Sequence, residues 1–153
     1  MTNVCTLPSL RILDLGYNGI RHITGLSSLH NLRQLYLGRN KIEEIQGLEG
    51  LSLRVLDLQS NRIRSSVGLK SLVSLEELYL AYNGITEMSE VDTLTNVNTL
   101  DLTHNYLTNT IGFEGFIDIA IIAKVIEFIV ITDPASPSTP SIKFTAFEIP
   151  TIH

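Results

Sequence analysis

A unit of the form L-x-x-L-x-L-x-x-N-x-[I/L] recurs along the chain. It starts at Leu10, Leu32, Leu53 and Leu75, and again at residue 97 with Val97 in the first place. Successive starts lie 22, 21, 22 and 22 residues apart, and Asn18, Asn40, Asn61, Asn83 and Asn105 keep the same phase. Between units runs a second pattern, seen in Ile20, Ile23, Gly25, Leu26 and Leu29 and repeated in Ile42, Ile45, Gly47, Leu48 and Leu51. One such unit cannot bury its own leucines. A chain with a fixed period of this kind must therefore stack its units, each covering the next.

The spacing within a unit dictates its local form. Alternation around the last two leucines of L-x-x-L-x-L makes a short strand, leucines inward and the residue between them outward. The asparagine follows where the chain turns away from the strand, and its amide both donates and accepts, so it suits backbone groups that the turn would strand. Leu26, Leu29 and Leu32 stand three apart, the spacing of a 3₁₀ or short helical turn on the outer side. Each leucine buried by stacking contributes ~1.5–3 kcal/mol.

These features resemble the leucine-rich repeat. The resemblance implies an α/β leucine-rich-repeat solenoid: a right-handed arc with a parallel sheet on its concave face and short helical or 3₁₀ turns on its convex face. The solenoid is expected over residues 1–107. Leu7, Val4 and Met1 fall at the Leu29, Leu26 and Ile23 positions, so the chain opens in the middle of a repeat, as a shortened copy of a longer array would. Three departures leave the phase intact. Ser66 stands where Ile23 and Ile45 would be, with Val67 expected to supply the outer packing; Glu90 replaces the glycine; and one residue is lost between Leu51 and Leu53.

After Leu107 the pattern stops. Residues 111–131 are apolar but carry Glu114, Asp118, Lys124 and Glu127, charges that make a membrane span expensive. Phe113, Phe116, Ile117, Ala120, Ile121 and Phe128 fall near one helical face, which suits an amphipathic helix over 108–131 capping the last repeat. The β-branched content suits strands equally, and sequence foreign to the repeats is a third origin. Residues 132–153 read as a Pro- and Ser-rich linker followed by a short extended tail, either a strand or a disordered end.

Composition narrows the function. The chain has 153 residues, 44 % of them hydrophobic, and a net charge of −5 with acids and bases interspersed, so a nucleic-acid partner is not expected. Cys5 is the only cysteine and no apolar signal core opens the chain, which points to a reducing, intracellular setting. His22, His30, His104 and His153 lack metal-ligand spacing, and no glycine-rich phosphate loop is present. Asp101 and His104, beside Tyr82, are the one acid–base pair that the repeat geometry brings near each other, and a lone contact of that kind is no catalytic centre. We therefore expect a non-catalytic protein with no cofactor, no metal, no small-molecule substrate and no membrane partner.

The residue between the last two leucines projects from the middle of each strand. Down the stack it is Asp14, Tyr36, Asp57, Tyr79 and Asp101. Neighbouring open-face positions add Glu77, Gln34, Tyr17, Arg39, Gln59, Tyr82 and His104. Strands ~4.8 Å apart would set alternate aspartates ~10 Å apart, so acidic charge spreads along the groove without carboxylate contact. Tyrosines are amphipathic, freeze few rotors and recur at binding hot spots. Asp14, Tyr36, Asp57, Tyr79, Asp101, Glu77, Tyr82 and His104 are thus the candidate partner-binding residues, and the five asparagines the structural ones.

The 22-residue period, with the stretches "LRQLYLGRNKI", "LRVLDLQSNRI" and "LEELYLAYNGI", resembles the nuclear leucine-rich-repeat regulatory subunits of protein phosphatase 1 over residues 1–107. That resemblance implies a chain that grips the phosphatase catalytic subunit with acidic and aromatic mid-strand residues. Asp14, Tyr36, Tyr79 and Asp101 match by position and type; Asp57 departs, since a small polar residue is frequent there. The family's last repeats and terminal cap have no counterpart in residues 108–153. Such a protein would work in the nucleus or cytoplasm. The alternative is a structural scaffold of the ciliary or axonemal dynein light-chain type, which shares the short repeat.

Overall fold

A computed structural model describes Leu7, residues 9–89 and residues 91–107. The expected half repeat at Met1 and Val4, the substitution at Glu90, the capping segment 108–131 and the tail 132–153 lie outside the described residues.

Five three-residue strands form one sheet in chain order: β1 (Ile12–Asp14), β2 (Gln34–Tyr36), β3 (Val55–Asp57), β4 (Glu77–Tyr79) and β5 (Thr99–Asp101). Every pairing is parallel and in repeat register, with Leu13, Leu35, Leu56, Leu78 and Leu100 aligned across it. The strands begin one residue earlier than the leucine alternation suggests. The reason is that the residue before each strand already joins the ladder: Arg33 N and Gln34 N both donate to Arg11 O, at 2.8 and 3.0 Å.

Return segments are built from single i→i+3 turns. Leu29 N donates to Leu26 O and Leu32 N to Leu29 O, both at 2.9 Å, and the same bonds recur at Leu69, Leu72 and Leu75. These bonds fall on every third residue and not on every one, so the leucines three apart line one side without a continuous helix forming. Among the described residues the leucine rows make one apolar core, with Leu32, Leu35, Leu37, Leu56, Leu58, Leu78 and Leu80 fully buried. Leu13 and Leu15 of the first repeat are only half-buried.

The asparagines tie repeats together. Asn61 Nδ2 donates to Leu58 O of its own repeat (2.9 Å) and to Leu37 O of the repeat before (3.0 Å), while its Oδ1 accepts from Ile42 N at 3.0 Å. Asn40, Asn83 and Asn105 reproduce this three-way bridge. Among the described residues Asn18 donates only within its own repeat, to Leu15 O and Gly16 O. Burial of the five is therefore graded: Asn40 and Asn83 are buried, Asn61 and Asn105 half-buried, and Asn18 exposed.

Ser66 behaves differently from the sequence expectation. Val67 does not replace the missing isoleucine, because it is 52 % exposed, while Ser66 is fully buried. The Ser66 hydroxyl takes up the space with polar bonds: Oγ donates to Ser89 O and accepts from Ser89 N, each at 2.7 Å. At Gly68 the chain passes so close to the carbonyl of Ile45 that a Cβ would overlap it, and φ is +102°. Only glycine satisfies both conditions.

Candidate binding face

The open face of the sheet carries the mid-strand row in strict register, Asp14 beside Tyr36, Tyr36 beside Asp57, Asp57 beside Tyr79 and Tyr79 beside Asp101. Within the row the two residue types turn opposite ways. Asp14, Asp57 and Asp101 bend toward the C-terminal ends of the strands, where Oδ1 accepts from the amides of Gly16 (2.9 Å), Gln59 (2.9 Å) and Thr103 (3.0 Å). A short acidic side chain reaches the amide two residues on, which the turn leaves unpaired. Tyr36 and Tyr79 bend the other way. Their hydroxyls donate to Gln34 Oε1 (3.1 Å) and Glu77 Oε2 (2.8 Å), on the same face two residues earlier.

Val55 lies between Gln34 and Glu77 in the adjacent register position and is 7 % exposed, although it too is on the open face. The two tyrosines on either side lean toward its row, with their hydroxyls on Gln34 and Glu77. Tyr36, Val55 and Tyr79 thus form an apolar centre on an otherwise polar sheet. The Tyr79 phenol is pushed up to about 12, first by its hydrogen bond to Glu77, then by burial, then by the nearby Glu77, Tyr36 and Asp57.

A second row stands at the corner where each strand ends. Tyr17, Arg39, Ser60, Tyr82 and His104, each just before a repeat asparagine, all adopt φ of 55–56°. That left-handed conformation costs a non-glycine residue ~1–2 kcal/mol, and it lets the asparagine amide face back into the stack. The corner side chains associate in pairs. The Arg39 guanidinium carbon lies 5.0 Å from the Tyr17 ring centroid. The Tyr82 and His104 rings stack at 4.0 Å with planes 12° apart.

The expected binding residues therefore fall into three sets. Asp14, Tyr36, Asp57, Tyr79 and Asp101 share the mid-strand row; Glu77 lies on the same face next to it; Tyr82 and His104 belong to the corner row. Asp101 Oδ1 is taken by the Thr103 amide and by Thr103 Oγ1 (2.8 Å), and the His104 ring lies on Tyr82. Val55 was absent from the sequence reading. Its signal was present in the column Ile12, Gln34, Val55, Glu77 and Thr99, the open-face position one turn of the pleat before the tyrosines. Among the described residues, no group of histidine, cysteine and acidic side chains could hold a metal ion, and no helix is long and apolar enough to cross a membrane.

Comparison with known proteins agrees with this architecture. A family model for leucine-rich repeats, described as two copies per match, fits residues 8–50, 51–90 and 73–115. No curated protein sequence matches the chain. Among solved structures, an internalin of Listeria monocytogenes is 30 % identical with a TM-score of 0.69, over 75 % of this chain and 35 % of the internalin. Internalin C2 of the same organism is 30 % identical with a TM-score of 0.67, over 74 % and 52 %. A leucine-rich-repeat protein of Leptospira interrogans is 32 % identical with a TM-score of 0.60, over 69 % and 28 %. The chain thus spans about a third to a half of the length of the two internalins it is similar to. With a two-repeat model fitting three stretches of the chain and its strands stacked in register, this protein belongs to the leucine-rich-repeat family.

Proposed function

We propose that the open face of the sheet binds a folded protein, and that this partner is the catalytic subunit of a protein phosphatase 1-type enzyme. The observation that carries the proposal is the Tyr36–Val55–Tyr79 centre: an apolar, half-buried cluster framed by Gln34, Glu77 and Asp57 on a face that is polar elsewhere. Apolar aromatic anchors inside a polar rim are what a protein interface uses, and stacked repeats offer their sheet face for that purpose. The phosphatase reading rests on the resemblance of the repeats to the regulatory subunits, and on the match of Asp14, Tyr36, Tyr79 and Asp101 to the family's acidic and aromatic positions. Asp14 and Asp101, at the two ends of the row, would pair with basic side chains, and the tyrosines would bury ring area between them. The same reading carries a nuclear or cytoplasmic location.

The test is capture of purified catalytic subunit by the immobilised protein across a salt series. Saturable binding that weakens with salt supports the reading. Absence of binding at low salt removes the phosphatase, and the structural scaffold of ciliary type then takes its place.

A further inference from the structure

At the opposite end of the strands from the corner row lies a third row. Arg33 N donates to Arg11 O, Arg54 N to Arg33 O, Glu76 N to Arg54 O and Asn98 N to Glu76 O, at 2.7–2.9 Å. Arg11, Arg33, Arg54, Glu76 and Asn98 are thus held in register, three guanidinium side chains on consecutive strands in a chain whose net charge is −5. With strands ~4.8 Å apart, the row concentrates positive charge at this edge of the sheet. Glu76 answers only one, with Oε1 3.6 Å from Arg54 Nη1.

The row borders a groove of about 590 Å³ lined by Arg33, Arg54, Glu76 and Asn98 together with Ser52 and Ser74. Its arginine is positioned in advance. Arg33 Nη1 donates to His30 O (3.1 Å) and Leu32 O (2.9 Å), which fixes the guanidinium while Nε and Nη2 remain to grip a carboxylate side-on. The Asn98 carbonyl oxygen accepts from Thr99 Oγ1 at 3.0 Å, leaving its NH₂ as a donor. Donors therefore dominate the walls.

We propose that this groove is a second binding site, which takes an extended acidic peptide segment through carboxylate–arginine pairs at Arg33 and Arg54. The serine hydroxyls and the Asn98 amide bond the peptide backbone. A nucleic-acid strand fits less well, because the Glu76 carboxylate lines the same groove and would face its continuous phosphates. The site does not depend on which protein occupies the tyrosine centre.

Fluorescence anisotropy with a short labelled peptide of alternating glutamate and serine tests it, against the glutamine–serine counterpart. The acidic peptide should bind about tenfold or more tightly than the neutral one at low salt. The double substitution Arg33→Gln/Arg54→Gln should abolish that difference. Glu76→Gln should tighten binding about threefold by removing the competing carboxylate, an effect that no loss of folding would produce. Arg62→Gln, exposed beyond the far end of β3, should change nothing, and Tyr36→Ala, which probes the phosphatase face, should leave peptide capture intact. Equal binding of the two peptides would overturn the site. So would insensitivity to the double substitution, or tighter binding of a single-stranded oligonucleotide than of the acidic peptide.

Discussion

The Tyr79 hydroxyl donates a 2.8 Å hydrogen bond to Glu77 Oε2, which tilts the ring along its own strand and is the largest of the causes that raise its pKa. The phenol pKa is raised from 10.0 to about 12 in the folded state, so the folded protein holds that proton more tightly than the unfolded chain does. Its contribution to stability is complete below pH 10 and is lost as the pH rises toward about 12. Spectrophotometric titration should show a phenol ionising near pH 12 that disappears in Tyr79→Phe and moves down in Glu77→Gln. An unchanged titration curve in Glu77→Gln would mean that the carboxylate does not hold the ring.

The asparagine bridges predict a gradient of stability effects. Asn61→Ala removes bonds to Leu37 O, Leu58 O and Ile42 N, and should destabilise by ~1–3 kcal/mol. Asn18→Ala removes only two local bonds at an exposed site and should cost under ~1 kcal/mol. Urea melts of the two variants check this, and equal losses would contradict the inter-repeat role.

Glycine positions separate conformational strain from steric overlap. Gly50 (φ +79°) has nothing within 4 Å of an added Cβ, so Gly50→Ala should cost only the left-handed penalty of ~1–2 kcal/mol. Gly68 (φ +102°) combines that penalty with overlap on Ile45 O, and Gly68→Ala should cost at least ~2 kcal/mol. Thermal melts that reversed the order would show that the chain relaxes away from Ile45.

Much of this architecture was legible because periodicity fixes register. Once Leu13, Leu35, Leu56, Leu78 and Leu100 are in phase, the mid-strand residues must align, and they do. What the period could not supply was the direction of each side chain. Aspartate is short enough to reach its own turn amide and tyrosine is not, so a row that is uniform in sequence splits into opposite tilts. Val55, between the Gln34 and Glu77 toward which the tyrosines tilt, is buried on the open face. Ser66 shows the same limit: its polarity suggested a packing gap filled by Val67, whereas its hydroxyl bonds the backbone of Ser89 in the next repeat. The arginine row escaped notice for a simpler reason. Arg11, Arg33 and Arg54 occupy the column just before the strands, which changes to Glu76 and Asn98 further on, so the repeat pattern does not mark it.

The phosphatase-binding face we propose is tested most directly by calorimetric titration of the catalytic subunit with the parent protein, Tyr36→Ala, Tyr79→Ala and Glu43→Ala, each first shown to be folded. Tyr79→Ala should weaken binding by ~2 kcal/mol or more and Tyr36→Ala comparably, because aromatic anchors dominate an interface. Glu43, exposed and 3.9 Å from Arg21 off the sheet face, should be replaceable without effect. Unchanged affinity in both tyrosine variants, or a loss in Glu43→Ala as large as theirs, would contradict a binding site centred on Tyr36, Val55 and Tyr79.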